Sequence, residues 1–121
     1  MRINIQFDGM KELTTVLSRI PKHNIPTGVK QAVGASALNV QRNAKKNCPV
    51  DTGALRNSIV ADFYSNGMAA EVEARMPYAP FIEFGTKHSP AQPFLFPAFD
   101  QENPKFQEAV RQVLTDAFRK P

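Results

Sequence analysis

The chain has 121 residues, of which 42% are hydrophobic and 21% charged, and its formal net charge is +4. This length is enough for one domain with its own core and too short for two. The single cysteine excludes an internal disulfide framework, and no apolar run has the length of a membrane span. The sequence therefore predicts one domain, residues 1–121, that folds in a reducing cytoplasm. Its basic charge allows an acidic protein or nucleic acid as a partner.

The first predicted elements are a strand and a helix. Ile3, Ile5 and Phe7 alternate with polar residues, which is the period of a half-buried strand. Asp8 is placed to cap a first helix that continues to about Ile20. A second, longer helix is predicted from Thr27 to Asn47. Its apolar positions are small or β-branched, so a neighbouring element is expected to approach this face closely: Val29, Ala32, Val33, Ser36, Ala37, Val40 and Ala44.

An antiparallel hairpin is predicted around Asn66-Gly67, the residue pair typical of a two-residue type I′ turn. This turn pairs Phe63 with Ala70, Ala61 with Val72 and Ile59 with Ala74, which places six apolar residues on the core face. The opposite face pairs Val60 with Glu73, Asp62 with Glu71 and Tyr64 with Ala69. Two acids directly opposite each other are unfavourable unless a basic group lies over them, so this face is expected to meet another surface.

Prolines and phenylalanines dominate the chain from Pro77 onward. Ala79–Gly85 predicts a short helix with proline in its first turn and glycine after its end. An irregular loop is expected at about 85–97. Asn103-Pro104 then predicts the start of a final helix.

Asp51-Thr52-Gly53 has the form of an aspartic protease active-site turn, in which two such carboxylates lie side by side. That fold requires strands before the motif and a glycine-rich flap after it. Here a long helix precedes the motif, and Gly67 is the one glycine at the hairpin tip. The alternative is a structural turn in which Asp51 and Thr52 accept backbone hydrogen bonds and Gly53 supplies a positive φ. We predict the structural turn, and no catalytic residue.

The sequence gives less support to other catalytic, metal-binding or nucleic-acid-binding sites. Cys48 with His88 or His23 as a base is possible in principle, but a cysteine before a proline at a helix end is more often a small buried hydrophobe. The spacing of these residues predicts no metal site, and no cofactor is expected. Four basic residues form either a nucleic-acid patch or a solvated helix end, and the lack of interleaved aromatics favours the helix end: Arg42, Lys45, Lys46 and Arg56.

The aromatic residues near the irregular loop predict a protein–protein interface. Some of them must belong to the core, because a chain of this size has a limited interior. The interface candidates are Tyr78, Phe81, Phe84, His88, Phe94, Phe96 and Phe99.

Three blocks together carry a family resemblance. Residues 44–59 end a helix and include Asp-Thr-Gly-Ala-Leu-Arg-Asn-Ser, residues 78–86 read Tyr-Ala-Pro-Phe-Ile-Glu-Phe-Gly-Thr, and residues 93–98 read Pro-Phe-Leu-Phe-Pro-Ala. This combination resembles the HK-97-type gene-ten-like family of tailed phages and prophages, described as tail components or head–tail neck proteins. The family's motif positions fall here on Asp51, Thr52, Gly53, Leu55, Arg56, Ser58, Tyr78, Glu83, Gly85 and Thr86.

The resemblance implies a structural subunit and not a catalyst. Such proteins are similar to small α+β subunits that form a ring where the phage tail joins the head, beside connector, tail-terminator or tail-tube proteins, with DNA passing along the axis. The implied location is the virion, with the host cytoplasm before assembly, and no membrane is involved. The subunit is expected to form a homo-oligomeric ring in the virion, and a monomer is compatible with the isolated subunit if its loop orders only in the complex. The alternative function is a basic DNA-binding packaging or accessory protein.

Two further expectations follow from the residues. Arg56 and Glu83 are the opposite charges embedded in the two best-defined blocks, so we hypothesise that they form an ion pair within one subunit or across two. The expected fold class is α+β. A small twisted antiparallel sheet with a central hairpin packs against the long helix, and a C-terminal helix completes the core or contacts a neighbour.

Overall fold

The computed structural model describes residues 3–9, 25–49 and 53–119, and it confirms the α+β class. The predicted first helix falls largely on residues 10–24 and lies outside the described residues. Asp8, which was expected to cap that helix, is the last residue of the first strand. The elements in chain order are β1 (Ile3–Asp8), α1 (Ile25–Asn47), α2 (Ala54–Asn57), β2 (Ile59–Tyr64), β3 (Ala69–Ala74), α3 (Ala79–Phe84) and α4 (Leu95–Arg119).

The three described strands form an antiparallel sheet in the order β1-β3-β2. The predicted hairpin register is confirmed at all six pairs, from Ile59 opposite Ala74 to Tyr64 opposite Ala69. The type I′ turn is also confirmed. Asn66 has φ 62° and ψ 31°, Gly67 has φ 89°, and the Met68 amide donates to the Ser65 carbonyl over 3.1 Å.

The turn is wider than a two-residue loop. Ser65 also has a positive φ, 51°, and the strand pairing ends at Tyr64 and Ala69. Met68 has helical backbone angles, and its carbonyl accepts a hydrogen bond from the Gly9 amide. The Met68 amide therefore closes the turn on Ser65, while the Met68 carbonyl bonds to the chain just after β1.

The two faces of the sheet divide as predicted, with one exception. Five of the six predicted core-face residues of the hairpin are buried or half-buried, but Phe63 is 46% exposed because it lies near the end of an edge strand. On the other face, the opposed acids have a basic neighbour in the same chain, Arg75. Its guanidinium lies 2.6 Å from the Asp62 carboxylate and 3.1 Å from that of Glu73. An intramolecular arginine thus relieves part of the repulsion that had suggested a covering surface.

The long helix is confirmed and begins at Ile25, two residues before the predicted Thr27. All seven residues of its predicted apolar face are buried, including the polar Ser36. This face packs on the sheet and along α4. The small side chains at the helix contact permit the close approach that the sequence indicated.

The final helix begins at Leu95, so the expected start at Asn103-Pro104 is wrong. Pro97 lies in the first turn, where backbone amides have no acceptor within the helix. Pro104 lies inside the helix and removes one hydrogen bond, but Pro104 and Asp100 are both exposed, so the orphaned carbonyl can bond to water. Two prolines that resembled helix boundaries are tolerated inside one helix. The irregular loop is correspondingly shorter than the predicted 85–97 and ends at residue 94.

The core lies between one face of the sheet and the two long helices. Phe7 of β1 contacts Phe106 and Phe99 of α4, with ring centroids 4.9 and 5.5 Å apart. Val33 and Val40 of α1 are fully buried in the same cluster. Among the described residues, no helix has the length and apolar character needed to cross a bilayer.

Candidate protein-binding site

Three aromatic side chains along one side of α3 are exposed to solvent. Phe81 is 59% exposed, Phe84 63% and Tyr78, just before the helix, 38%. Residues three positions apart are neighbours on a helix surface, so the three form one continuous patch, here called the aromatic surface. Large apolar groups that a small protein leaves in water in this way are typical of a binding site for another protein.

The opposite side of α3 is held in the protein by buried residues. Ala79 and Glu83, one helical turn apart, are both buried, and Pro80 occupies the first turn, where its fixed φ favours the helix. Gly85 ends the helix with φ 81° and ψ 172°, a region that residues with a Cβ avoid. A Cβ at this position would lie 2.7 Å from the Ala91 nitrogen. Glycine is therefore required where the chain turns into the loop.

Glu83 fixes α3 to the start of α4. The side chain is only 2% exposed. One carboxylate oxygen accepts hydrogen bonds from the amides of Phe94 and Leu95 at 3.1 and 2.9 Å, and the other accepts from the Phe96 amide at 3.3 Å. These amides have no partner inside the helix, and the positive end of the helix dipole favours a negative charge. Glu83 is thus a capping group supplied by another helix.

The loop between these helices has a defined local structure. The Thr86 hydroxyl accepts hydrogen bonds from the amides of His88 and Ser89 at 3.2 and 3.1 Å. The Gln92 amide donates to the Ile82 carbonyl at 2.8 Å and so joins the end of the loop to α3. Lys87 and His88 are exposed at the loop tip, in sequence next to the aromatic surface.

The predicted interface aromatics divide into two groups. Phe94 is fully buried, so it is a core residue and its expected interface role is wrong. Phe99 is half-buried and packs against Phe7 at the edge of the core. Phe96 is half-buried, and its ring centroid lies 5.6 Å from that of Phe84. Phe96 therefore packs against the aromatic surface from the protein side. Tyr78, Phe81, Phe84 and His88 remain accessible to a partner.

The predicted turn at the helix–hairpin corner is described in part. Asp51 and Thr52 lie outside the described residues. Gly53 has the expected positive φ, 80°, and begins the short helix α2, which the sequence patterns did not indicate. Ser58 ends that helix: its hydroxyl donates to the Leu55 carbonyl at 2.8 Å and accepts from the Met76 amide at 3.3 Å. Helices flank the motif on both sides, unlike the strand context of an aspartic protease.

The hypothesised Arg56–Glu83 ion pair does not form within the chain. Both carboxylate oxygens of Glu83 bond to amides of α4, and its burial leaves it little access to a second subunit. Arg56 is exposed on α2. Its charge lowers the pKa of the Cys48 thiol, but the larger effect of burial raises that pKa above its usual value. This is the opposite of the shift that activates a nucleophilic cysteine.

The basic residues that were considered for a nucleic-acid patch also have structural explanations. Lys45 and Lys46 lie in the last turn of α1, where cations are favourable. Arg42 donates to the Asn39 side chain at 2.7 Å. Within the described ranges, no group of three or more potential metal-ligating residues comes together.

These features define a small α+β protein that exposes aromatic side chains on a short helix held by buried residues. Residues 11–85, more than half of the chain, match the family described as "Bacteriophage HK97-gp10, putative tail-component". The chain belongs to this family, which confirms the resemblance carried by its motifs. A search of curated proteins and a search of solved structures each gave no match. Membership indicates a structural role in the phage tail, association with the virion and contact with other phage structural proteins.

Proposed function

We propose that the protein is a structural subunit of the phage head–tail junction, where it forms or joins a ring and connects the connector to the tail. The observation that carries the proposal is the aromatic surface. It lies within the residues that match the tail-component family, and it is held by buried residues and not by a mobile segment. Accessible aromatic side chains at fixed positions are typical anchors of protein interfaces.

The surface is well suited to an adaptor because its orientation is fixed before a partner binds. Glu83 joins α3 to α4, Gly85 sets the turn, and the Gln92 amide closes the loop on α3. Binding of a partner therefore costs little free energy for ordering this surface. Connector, tail-terminator and tail-tube proteins are the proposed partners. The proposed role needs no catalytic group and no cofactor.

Co-purification with the neighbouring structural proteins tests this function. The protein is co-expressed with connector and tail proteins from the same phage genome, and the mass of each complex is measured. We expect the wild type to enter a complex, and the variant Phe81→Ser/Phe84→Ser to stay out of it. Because both rings are largely exposed, the variant should remain folded, which its thermal unfolding midpoint verifies.

The matched control is Phe63→Ser, which removes an exposed phenylalanine at the far end of β2. It should enter the complex as the wild type does. If the double variant also assembles normally, the aromatic surface is not the adaptor site. The alternative, direct DNA binding, predicts association with duplex DNA that weakens steeply as salt increases, and the same preparations can be assayed for it.

A further inference from the structure

The strand β2 forms an open edge of the sheet. In the order β1-β3-β2 it has β3 on one side and no described strand on the other. The Arg75 amide donates to the Ser58 carbonyl at 3.1 Å, and hydrogen-bonded pairs alternate along an antiparallel ladder. The backbone N–H and C=O groups of Ala61 and Phe63 therefore point away from β3. In the described part of the chain these groups have no hydrogen-bond partner.

The open edge of β2 lacks the features that usually prevent pairing with another strand. Edge strands in soluble proteins commonly carry a lysine, a proline or a bulge for this purpose. The sequence of β2 is Ile-Val-Ala-Asp-Phe-Tyr, and its pairing with β3 is continuous at all six positions. Its one charge, Asp62, lies on the outer face, where the Arg75 guanidinium is 2.6 Å away. The sequence of β2 is therefore compatible with the addition of a further strand.

Apolar groups lie beside this edge, on the face of the sheet that α1 covers. The Gln41 side chain of α1 donates to the Ile59 carbonyl at 3.1 Å, so this side of α1 faces the open edge. Leu38 and Gly34 lie one and two turns earlier on the same side of α1. Leu38 is 54% exposed, and Gly34 has open space where a side chain would be. With Phe63, which is 46% exposed, they provide an apolar contact for an added strand.

We propose that β2 pairs with β2 of a second copy, antiparallel and with a two-fold axis at Asp62, so that one sheet continues across two subunits. In this register Ala61 of each copy lies opposite Phe63 of the other. The two free N–H groups of each copy then meet the two free carbonyls of the other. A pairing centred on Ala61 instead would need the Ile59 carbonyl, which Gln41 holds. The free backbone groups of β2 are thus complementary to themselves in one register.

The side chains and helices are compatible with this pairing. The two Asp62 carboxylates lie opposite each other at the axis, but each has its own Arg75 guanidinium 2.6 Å away, which reduces their repulsion. The two copies of α1 lie on the same face of the continued sheet. Because α1 packs on β2 and β3, and strands are about 4.8 Å apart, the two α1 axes come to about 10 Å, the spacing of packed helices. Leu38 and the open space at Gly34 lie on the facing sides.

This contact joins two copies only, because an isologous two-fold contact uses the same surface on both subunits and is closed. It does not continue into a ring. It also leaves Tyr78, Phe81 and Phe84 unused, so the aromatic surface stays available to connector and tail proteins. The inference therefore goes beyond the proposed head–tail function and does not depend on it. It assigns a dimer to the free subunit.

Disulfide cross-linking at the axis tests the register. The two copies of residue 62 form a non-hydrogen-bonded pair with Cα atoms about 4.5 Å apart, which is within the range of a disulfide. Asp62→Cys in a Cys48→Ala background should therefore give a covalent dimer in oxidised glutathione. The matched control is Tyr64→Cys, on the same face and at least as exposed. Its two copies would be about 13 Å apart, so it should cross-link at least about tenfold more slowly.

Sedimentation equilibrium measures the strength of the contact. The wild type should approach twice its monomer mass of 13.5 kDa as its concentration rises. Ala61→Pro removes an outward N–H and keeps the ladder with β3, so it should weaken the dimer about tenfold or more. Leu38→Lys changes an exposed side chain of α1 and should weaken the dimer without any effect on the strand. The control Phe81→Ser/Phe84→Ser should dimerise as the wild type does. Thermal unfolding midpoints verify that each variant is folded.

Several outcomes overturn the inference. One is a wild-type mass that stays at 13.5 kDa up to about 1 mM protein. Others are equal cross-linking of Asp62→Cys and Tyr64→Cys, or a Leu38→Lys protein that dimerises as the wild type does. If the wild type is monomeric and a folded Ala61→Pro variant no longer enters complexes with tail proteins, the edge binds a strand of those proteins and not a second copy. If dimerisation fails while those complexes form normally, the proposed function stands and only the β2 contact is wrong.

Discussion

Replacing Glu83 with leucine should destabilise the protein strongly, because a buried carboxylate is the cap of the longest helix. Leucine has similar volume but no acceptor, so the amides of Phe94 and Leu95 lose their partner inside a buried region. Each unsatisfied buried donor costs about 1–3 kcal/mol. The third amide, of Phe96, is partly buried and its bond is longer, so its loss adds less. The two buried amides together give an expected loss of about 2–6 kcal/mol of unfolding free energy, a large share of the roughly 5–15 kcal/mol of a typical domain.

Urea unfolding followed by circular dichroism measures this loss, and a conservative variant separates charge from geometry. Glu83→Gln keeps one carbonyl oxygen for the amides of α4 but loses the charge and an acceptor, so we expect it to cost about 1 kcal/mol. The control Glu108→Gln removes an exposed carboxylate, 2.8 Å from Arg111 on the surface of α4, and should cost less than about 0.5 kcal/mol.

The same experiment distinguishes the observed cap from the ion pair that the sequence suggested. If Glu83 mainly paired with Arg56, then Arg56→Ala would cost about as much as the loss of Glu83. With the carboxylate on the α4 amides, Arg56→Ala should be nearly neutral, since the guanidinium is exposed. A Glu83→Leu protein within about 0.5 kcal/mol of the wild type would refute the capping argument.

Four other substitutions test the local structure. Gly85→Ala should lower stability by about 1–3 kcal/mol because of its positive φ and the nearby backbone. Gly34→Ala, inside α1 with open space around it, should instead raise stability by about 0.5–1 kcal/mol. Chemical denaturation of the two variants measures both changes. Burial raises the pKa of the Cys48 thiol, so the unfolded chain loses this proton first and stability should fall as pH rises above about 8.5. Cys48→Ala should remove that slope, and alkylation of the native thiol should be slower than in urea. Ser36→Ala removes a donor to the buried Glu102 carboxylate and should cost about 1–3 kcal/mol in thermal unfolding.

Local patterns predicted the elements whose determinants lie close together in sequence. The hairpin register followed from Asn66-Gly67 and from the alternation beside it, and α1 followed from a regular spacing of small apolar residues. Both signals are patterns of residues that lie only a few positions apart in the sequence. The need for a basic group over Asp62 and Glu71 was also readable from the register. That Arg75 meets part of this need depends on side-chain reach, which pairing alone does not determine.

The start of α4 was missed because its cause is not local. Pro97 and Pro104 look like helix boundaries in sequence, and Asn103 resembles a cap. The group that satisfies the first amides of α4 is Glu83, eleven to thirteen residues earlier on another helix. No nearby residue pattern reveals such a cap. The burial of Phe94 was missed for a related reason, since Phe94 lies directly before the start of α4, which the local pattern did not show.

Glu83 also explains why a carboxylate lies in the middle of the motif that identifies the family. The motif of residues 78–85 alternates exposed aromatic side chains with buried residues, and Glu83 is the buried charge among them. Its partners, the amides of residues 94–96, lie beyond the residues matched by the family, which end at 85. One short segment thus holds both a contact surface and the group that joins that surface to the following helix. A carboxylate in this position holds the helix that exposes the aromatic side chains, and hydrogen-bond acceptance from the amides of residues 94–96 accounts for its burial.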